Sequence, residues 1–214
     1  MRPPATFLAG RRCRAPMKRV GVLALQGDVS EHLRAVERAA AAAGVPAEAL
    51  ALRRAGDLDA MAAVILPGGE STTISKMLHR TGVFGPLKAR AEEGSLAVLG
   101  TCAGMIALAK GGDDQVRRTG TDLLELMDMD VDRNAFGRQR ESFEAELAVE
   151  AFDRPLHAVF IRAPAARRVY GRARQLATFA GRGVFVAQGA LMATAFHPEL
   201  TQDPRVHTML LSLA

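Results

Sequence analysis

The chain has 214 residues, with 28 Lys plus Arg against 23 Asp plus Glu, a net charge of +5 and a pI near 9.9. Apolar residues at 49% and charged residues at 24% are the balance of a soluble globular protein, and no apolar run approaches the roughly 20 residues of a membrane span. A basic pI invites a nucleic-acid reading, but four of the five excess charges (Arg2, Arg11, Arg12 and Arg14) fall in an acid-free stretch over residues 1–16, and with no Trp and one Tyr there is little to stack on bases.

That stretch has the wrong shape for a secretory signal, because its apolar segment is short and most of its arginines follow it. It fits a transit peptide only loosely. It reads as a disordered extension or as a start placed too early, with Met17 opening Met17-Lys18-Arg19-Val20-Gly21 just before a strand. The two cysteines, Cys13 and Cys102, lie in unlike contexts; this predicts no disulfide framework and a reducing, cytoplasmic setting. Residues 17–214 show no internal repeat and no linker and are read as one domain.

In chain order, Val20 to Leu25 is a continuous apolar run, the pattern of a buried parallel strand. Gln26-Gly27-Asp28 then turns the chain, and Asp28 is placed to cap a helix, with Glu31 completing a capping box. That helix ends at Gly44. Residues 46–52 predict a second strand, and Ala62 to Leu66 a third that ends in Pro67-Gly68-Gly69. Helices follow from Ser71 to His79 and from Pro86 to Glu93. Leu96 to Leu99 is a fourth strand, which runs through Gly100-Thr101-Cys102-Ala103-Gly104 into an apolar helix over Met105 to Ala109. This alternation predicts an α/β fold with a parallel sheet. Beyond residue 110 the pattern changes. Gly111-Gly112-Asp113-Asp114 opens a polar loop, and strand-like pieces follow at Glu144 to Val149, His157 to Arg162, Gly183 to Gln188 and Ala190 to Phe196. A last helix holds Val206, Met209, Leu210 and Leu211. The second half is expected to add antiparallel strands at the sheet edge.

Cys102 carries the strongest chemical signal. A strand runs into a tight turn of small residues and a helix begins at once, which projects a side chain from the sheet edge onto a helix N-terminus. Both features favour a nucleophilic thiolate; a small buried core cysteine is the alternative. Of the five histidines, His32, His79 and His207 fall on amphipathic helices, where a solvated or half-buried ring is expected, and His157 has no carboxylate patterned beside it. His197 differs: it ends an apolar strand, and Glu199, two residues on, can hold its imidazole in one tautomer. A metal pair is the rival reading, but no third ligand is patterned nearby and no metal is expected. In Leu66-Pro67-Gly68-Gly69-Glu70-Ser71, Glu70 stands where it can hold a substrate amino group or simply cap a helix.

Taken together, Cys102 in GTCAG and His197 with Glu199 in FHPEL resemble the class I glutamine amidotransferases. A finer resemblance is to the glutaminase subunits of pyridoxal 5′-phosphate synthase. It rests on GVLALQGDVSEH (21–32), LPGGEST (66–72), RNAFGRQRESFE (133–144) and FIRAP (160–164). The resemblance implies a flavodoxin-like three-layer α/β sandwich around a mostly parallel sheet. It implies hydrolysis of L-glutamine by a Cys102–His197–Glu199 triad, with Gly68, Gly69, Glu70, Arg133, Ile161 and Arg162 contacting glutamine. It also implies no cofactor, pyridoxal 5′-phosphate being the product. The partner it implies is a synthase subunit that takes the ammonia, in a large ring-shaped hetero-oligomer, with Gln26 on the surface facing that subunit. The roles suit the substrate: an arginine and an acid match the two charged ends of glutamine, and the Gly69 and Ala103 N–H groups are the candidate oxyanion hole. The alternatives are a glutaminase serving another synthase, a cysteine hydrolase of other specificity, and a non-catalytic regulatory subunit. Residues 1–16 have no counterpart in the family pattern.

Overall fold

The computed structural model describes residues 16–137 and 142–214, so Cys13, the arginines before it and Arg14, together with residues 138–141 of the central motif, lie outside the described residues. The first half follows the predicted alternation: β1 (Lys18–Leu23), α1 (Val29–Ala43), β2 (Ala47–Leu52), β3 (Ala63–Leu66), α2 (Ser71–Arg80), α3 (Phe84–Glu92), β4 (Ala97–Thr101) and α4 (Ala103–Leu108). The second half is richer than predicted. It holds β5 (Ala109–Gly112), α5 (Asp114–Arg118), β6 (Met127–Asp132), β7 (Ser142–Leu147), β8 (Leu156–Ile161), β9 (Ala165–Val169), β10 (Arg174–Phe179), β11 (Arg182–Gln188), β12 (Leu191–Thr194) and α6 (Arg205–Leu213). The expected polar loop at 111–114 is therefore partly strand β5. β6 escaped the sequence reading because three of its six residues are aspartates, which strands disfavour. Its Met127, Met129 and Val131 are nonetheless fully buried.

β2, β1, β3, β4 and β12 lie side by side and all parallel. This is the flavodoxin-like order, with β12 as the fifth strand. β11 then turns antiparallel to β12, and β9 and β6 continue that pattern, with β5 closing the edge parallel to β6. β10 pairs with β11, and β7 and β8 form a separate antiparallel ribbon. Right-handed crossovers that leave β1 in one direction and β3 in the other place α1 on one face and α2 with α3 on the opposite face. The sheet is thus covered on both sides, and β3, β4 and β12 are buried along their whole length, which is why they read as unbroken apolar runs.

α1 buries His32, Ala35, Val36, Ala39 and Ala40, one stripe at helical spacing, and stops at Gly44, whose N–H closes on the Ala40 and Ala41 carbonyls. The capping box does not form. Asp28 occupies the N-cap position without a side-chain cap bond, and Glu31 is held by Ser30 and Arg34 instead. No helix among the described residues is long and apolar enough to cross a membrane.

Two glycines set how tightly α4 sits on the sheet. A Cβ on Gly100 would overlap the Gly104 carbonyl, and one on Gly104 would overlap the Leu66 carbonyl of β3. A methyl there must push backbone aside, so Gly104→Ala is expected to lower unfolding stability by about 1–3 kcal/mol. Gly85→Ala, in the open on α3, is expected to raise it by about 0.5–1 kcal/mol. Urea denaturation of both variants checks the pair, and equal stability for the two contradicts the packing argument.

Candidate active site

The C-terminal ends of β1, β3, β4 and β12 meet at one rim, where doubly wound sheets place their sites. The loops there, with segments after β6 and β8, line a cavity of about 840 Å³ that includes Gln26, Asp28, Gly69, Glu70, Cys102, Arg133, Ile161, Arg162 and His197. Residues distant in sequence are thus brought to one place by topology.

Cys102 is the N-cap of α4 at φ 50° and ψ −106°, a strained backbone region for a residue with a side chain. Its N–H donates to the Thr194 carbonyl of β12 at 2.8 Å, and its own carbonyl accepts from Met105 N–H at 3.0 Å. The thiol points at the Ile161 carbonyl, 3.8 Å away. α4 has only six residues, so it offers the unpaired N–H groups of its first turn more than a long-helix dipole.

His197 packs directly behind. Its Nδ1–H donates to Glu199 Oε1 at 2.7 Å, and Asp28 Oδ2 lies 3.7 Å from the same nitrogen. Nε2 is buried and has no hydrogen-bond partner among the described residues. Gly68 makes room for the ring: a Cβ there would come within 2.5 Å of His197 Cε1 and 3.4 Å of Cys102 Cβ. Burial alone would push the His197 pKa down, but the neighbouring Cys102 and the bond to Glu199 outweigh it and raise it to about 10. Burial in turn raises the Glu199 pKa, and its bond to His197 opposes the rise. Asp28, His197 and Glu199 each bring a polar atom within 4.8 Å of the others. Asp28 is therefore a second acidic neighbour of His197 that the sequence pattern did not reveal. Nδ1 is already bonded to Glu199, so the two carboxylates form the negative surround of a charged ring.

Glu70 fills the capping role weighed from the sequence and points its second oxygen at an arginine. One carboxylate oxygen caps α2, accepting from Thr73 N–H at 2.7 Å and Thr73 Oγ1 at 3.0 Å, while the other pairs with the Arg133 guanidinium. Burial pushes its pKa up, but the Thr73 bonds and Arg133 hold it below the usual value. Arg133 is itself anchored by its N–H on Asp113 Oδ2 at 2.8 Å. Arg162, at φ 43°, lines the cavity with no partner for its guanidinium among the described residues. Gln26 lies in the cavity wall, its Oε1 accepting from Glu70 N–H at 3.4 Å. The wall also includes Gln115, Arg118, Thr119 and Phe136, which the sequence reading missed. Three of them sit on or just after α5, an element too short to show a period.

The other histidines correct two expectations. His32 and His207, expected to be solvated or half-buried, are fully buried. His157, expected to stand without a carboxylate, bridges Glu146 at 2.8 Å and Glu144 at 3.0 Å on the exposed β7–β8 ribbon. His79 is half-exposed, as expected, and pairs with Asp122 at 3.1 Å.

A flavodoxin-like sheet with a cysteine elbow after β4 and a His-x-Glu pair after β12 defines a class I glutamine amidotransferase. Residues 22–213 match the SNO glutamine amidotransferase family, and the chain belongs to it. Pyridoxal 5′-phosphate synthase subunit PdxT of Methanothrix thermoacetophila is 51% identical over 195 residues, covering 91% of this chain and 99% of that protein. The protein of the same name from Archaeoglobus fulgidus is 49% identical over 195 residues, covering 91% and 98%. A crystal structure titled as a glutamine amidotransferase superposes with a TM-score of 0.81 at 46% identity, covering 91% of this chain and 97% of its own. A Thermotoga maritima glutamine amidotransferase, at 16% identity and a TM-score of 0.56, shares the fold.

The raised His197 pKa has a definite sign. Between its ordinary value of 6.5 and about 10, the folded chain holds a proton that the unfolded chain has lost. The stability it contributes is therefore complete below 6.5 and gone above 10. NMR titration of histidine-labelled protein is expected to find His197 charged at pH 8, and Glu199→Gln is expected to lower its pKa. A neutral His197 ring at pH 8 contradicts this electrostatic account.

Proposed function

We infer that this chain is the glutaminase of a pyridoxal 5′-phosphate synthase: it hydrolyses L-glutamine to L-glutamate and ammonia and hands the ammonia to a synthase subunit. The observation that carries the reading is the convergence of Cys102 on its elbow with the 2.7 Å His197–Glu199 pair, at a cavity bordered by the Glu70–Arg133 ion pair. The names of relatives near 50% identity supply the synthase.

In this reading the Cys102 thiolate attacks the side-chain amide carbon of glutamine. The carbonyl π electrons move to oxygen, and the N–H groups of Gly69 and Ala103 receive the oxyanion. His197, already protonated, delivers its proton to the departing nitrogen, so ammonia leaves and a γ-glutamyl thioester remains. The now neutral imidazole takes a proton from water, hydroxide adds to the thioester, and glutamate leaves as the thiol is regenerated. Glu199 holds the ring in the Nδ1–H tautomer throughout.

Glutamine selection follows from opposite charge. Glu70 takes the α-ammonium and Arg133 or Arg162 the α-carboxylate, with Gly68 and the Ile161 carbonyl shaping the floor. Glu70 and Arg133 pair with each other, which sets the acid and the base side by side for the two charged ends of glutamine. The chemistry uses side chains of this chain and takes no cofactor. Free ammonia is lost to water or protonated, so the rim with Gln26 is assigned to the face that docks the synthase, within a ring-shaped hetero-oligomer. A cytoplasmic setting suits a thiol nucleophile.

With the synthase subunit present, Cys102→Ala is expected to lower glutamine hydrolysis by about 10⁴-fold or more, while pyridoxal 5′-phosphate synthesis from ammonium salts persists. Glutamine turnover surviving in Cys102→Ala overturns the assignment. Co-purification with a different synthase would redirect the pathway. Arg133→Ala is expected to raise the KM for glutamine by about tenfold or more, the value of a lost charged hydrogen bond, and an unchanged KM removes Arg133 from the substrate site.

A further inference from the structure

Behind Glu199, on the side away from the cavity, lies a buried polar chain that the mechanism above leaves unused. His32 from α1 places Nε2 3.4 Å from Glu199 Oε1, the oxygen that accepts from His197, and 3.3 Å from Thr101 Oγ1 of β4. Its Nδ1 lies 3.2 Å from His207 Nε2 on α6. Both rings are fully buried. His207 Nδ1 and Glu199 Oε2 have no hydrogen-bond partner among the described residues. We propose that His32, fixed from behind by His207, is a positioning residue of the amidotransferase site that presents an N–H to Glu199 and aims that carboxylate at His197.

The tautomers follow from accounting for the protons. If His207 carries its proton on Nε2, it donates to His32 Nδ1, and His32 then carries its proton on Nε2, directed at Glu199 and Thr101. The reverse arrangement puts a bare His32 lone pair against the Glu199 carboxylate. It also buries a His207 Nδ1–H with no acceptor, and an unsatisfied buried donor is costly. Both penalties point to the first arrangement. It requires both rings to be neutral, and burial dictates this. Burial, with His207 and His197 nearby, keeps His32 well below its ordinary pKa, and burial, with Arg38 nearby, pushes His207 down to about 3. Glu199 is faced by His197, His32 and, at longer range, Asp28. His197 and His32 are the two side chains that can turn a ring N–H toward it, and a buried carboxylate needs such donors to stay ionised.

The inference rests on the glutaminase reading, and the experiment separates the two. In the complex with the synthase subunit, kcat, KM and their pH profiles for glutamine are measured for wild type, Cys102→Ala, His32→Leu and His32→Gln. His32→Leu is expected to lower kcat by about 10–100-fold, the scale seen when the outer partner of a functional histidine or carboxylate is removed, with KM within about twofold of wild type. His32→Gln, whose Nε2–H can reach the same carboxylate, is expected to recover about tenfold of that loss. The His197 pKa, read by NMR, is expected to fall in His32→Leu and to return in His32→Gln. An inactive Cys102→Ala with a fully active His32→Leu overturns this proposal alone, whereas an active Cys102→Ala overturns the glutaminase reading itself. A His32→Gln variant as impaired as His32→Leu, with His197 titrating as in wild type, also overturns the positioning role. Nitrogen NMR on the wild-type chain needs no variant and remains decisive if His32→Leu does not fold. It is expected to find neutral His32 with its proton on Nε2, and a proton on Nδ1 contradicts the proposal.

Discussion

The positive φ of Cys102 is the constraint on which the rest of this structure depends. Holding a non-glycine residue there costs on the order of 1–3 kcal/mol, and the cost is met by the elements around it. The Cys102 N–H is tied to β12, its carbonyl opens α4, and Gly100 and Gly104 let that helix press against the β3 backbone. The same close approach brings the chain after β3 across the elbow, and Gly68 lets it pass over the His197 ring. Elbow, imidazole and substrate loop are therefore one packed unit. A methyl group added at its glycines strains all three.

Charge is distributed with equal economy. His197 is buried between Cys102 and Glu199 and is held protonated to about pH 10, while His32, one shell of atoms away, is kept neutral by the same burial. Both sit at the C-terminal rim of one sheet. They differ in their partners: a thiol and a carboxylate for the first, and a neutral ring, a hydroxyl and a shared carboxylate for the second. A site that is to donate a proton to a departing amide nitrogen and then abstract one from water gains from having a single titrating ring beside others that do not titrate.

Much of this was legible in the sequence, and the limits have physical causes. The parallel strands announced themselves as unbroken apolar runs because both faces are covered. GTCAG and FHPEL were readable because close backbone approach restricts residue type. β6 was missed because its aspartates are satisfied by tertiary partners: Asp128 by Lys110 and Arg172, Asp132 by Arg182. His32 was misjudged although the signal was present. It begins the stripe that continues through Ala35, Val36, Ala39 and Ala40, so periodicity alone placed it in the core. Asp28 looked like a helix cap, and only the topology that sets β1 beside β3 and brings β12 to the same rim reveals it as a neighbour of His197. The basic pI proved the least informative feature, since its excess lies outside the described residues and outside the family match.

The central claim is that the strained elbow makes Cys102 the reactive centre of a glutamine site. The most direct measurement is covalent labelling of the complex by a glutamine analogue with a diazoketone in place of the side-chain amide, followed by peptide mass mapping. The account predicts alkylation at Cys102 alone, with loss of dinitrogen, and protection by excess glutamine. Labelling at another residue, or no labelling in a complex that hydrolyses glutamine, would contradict it.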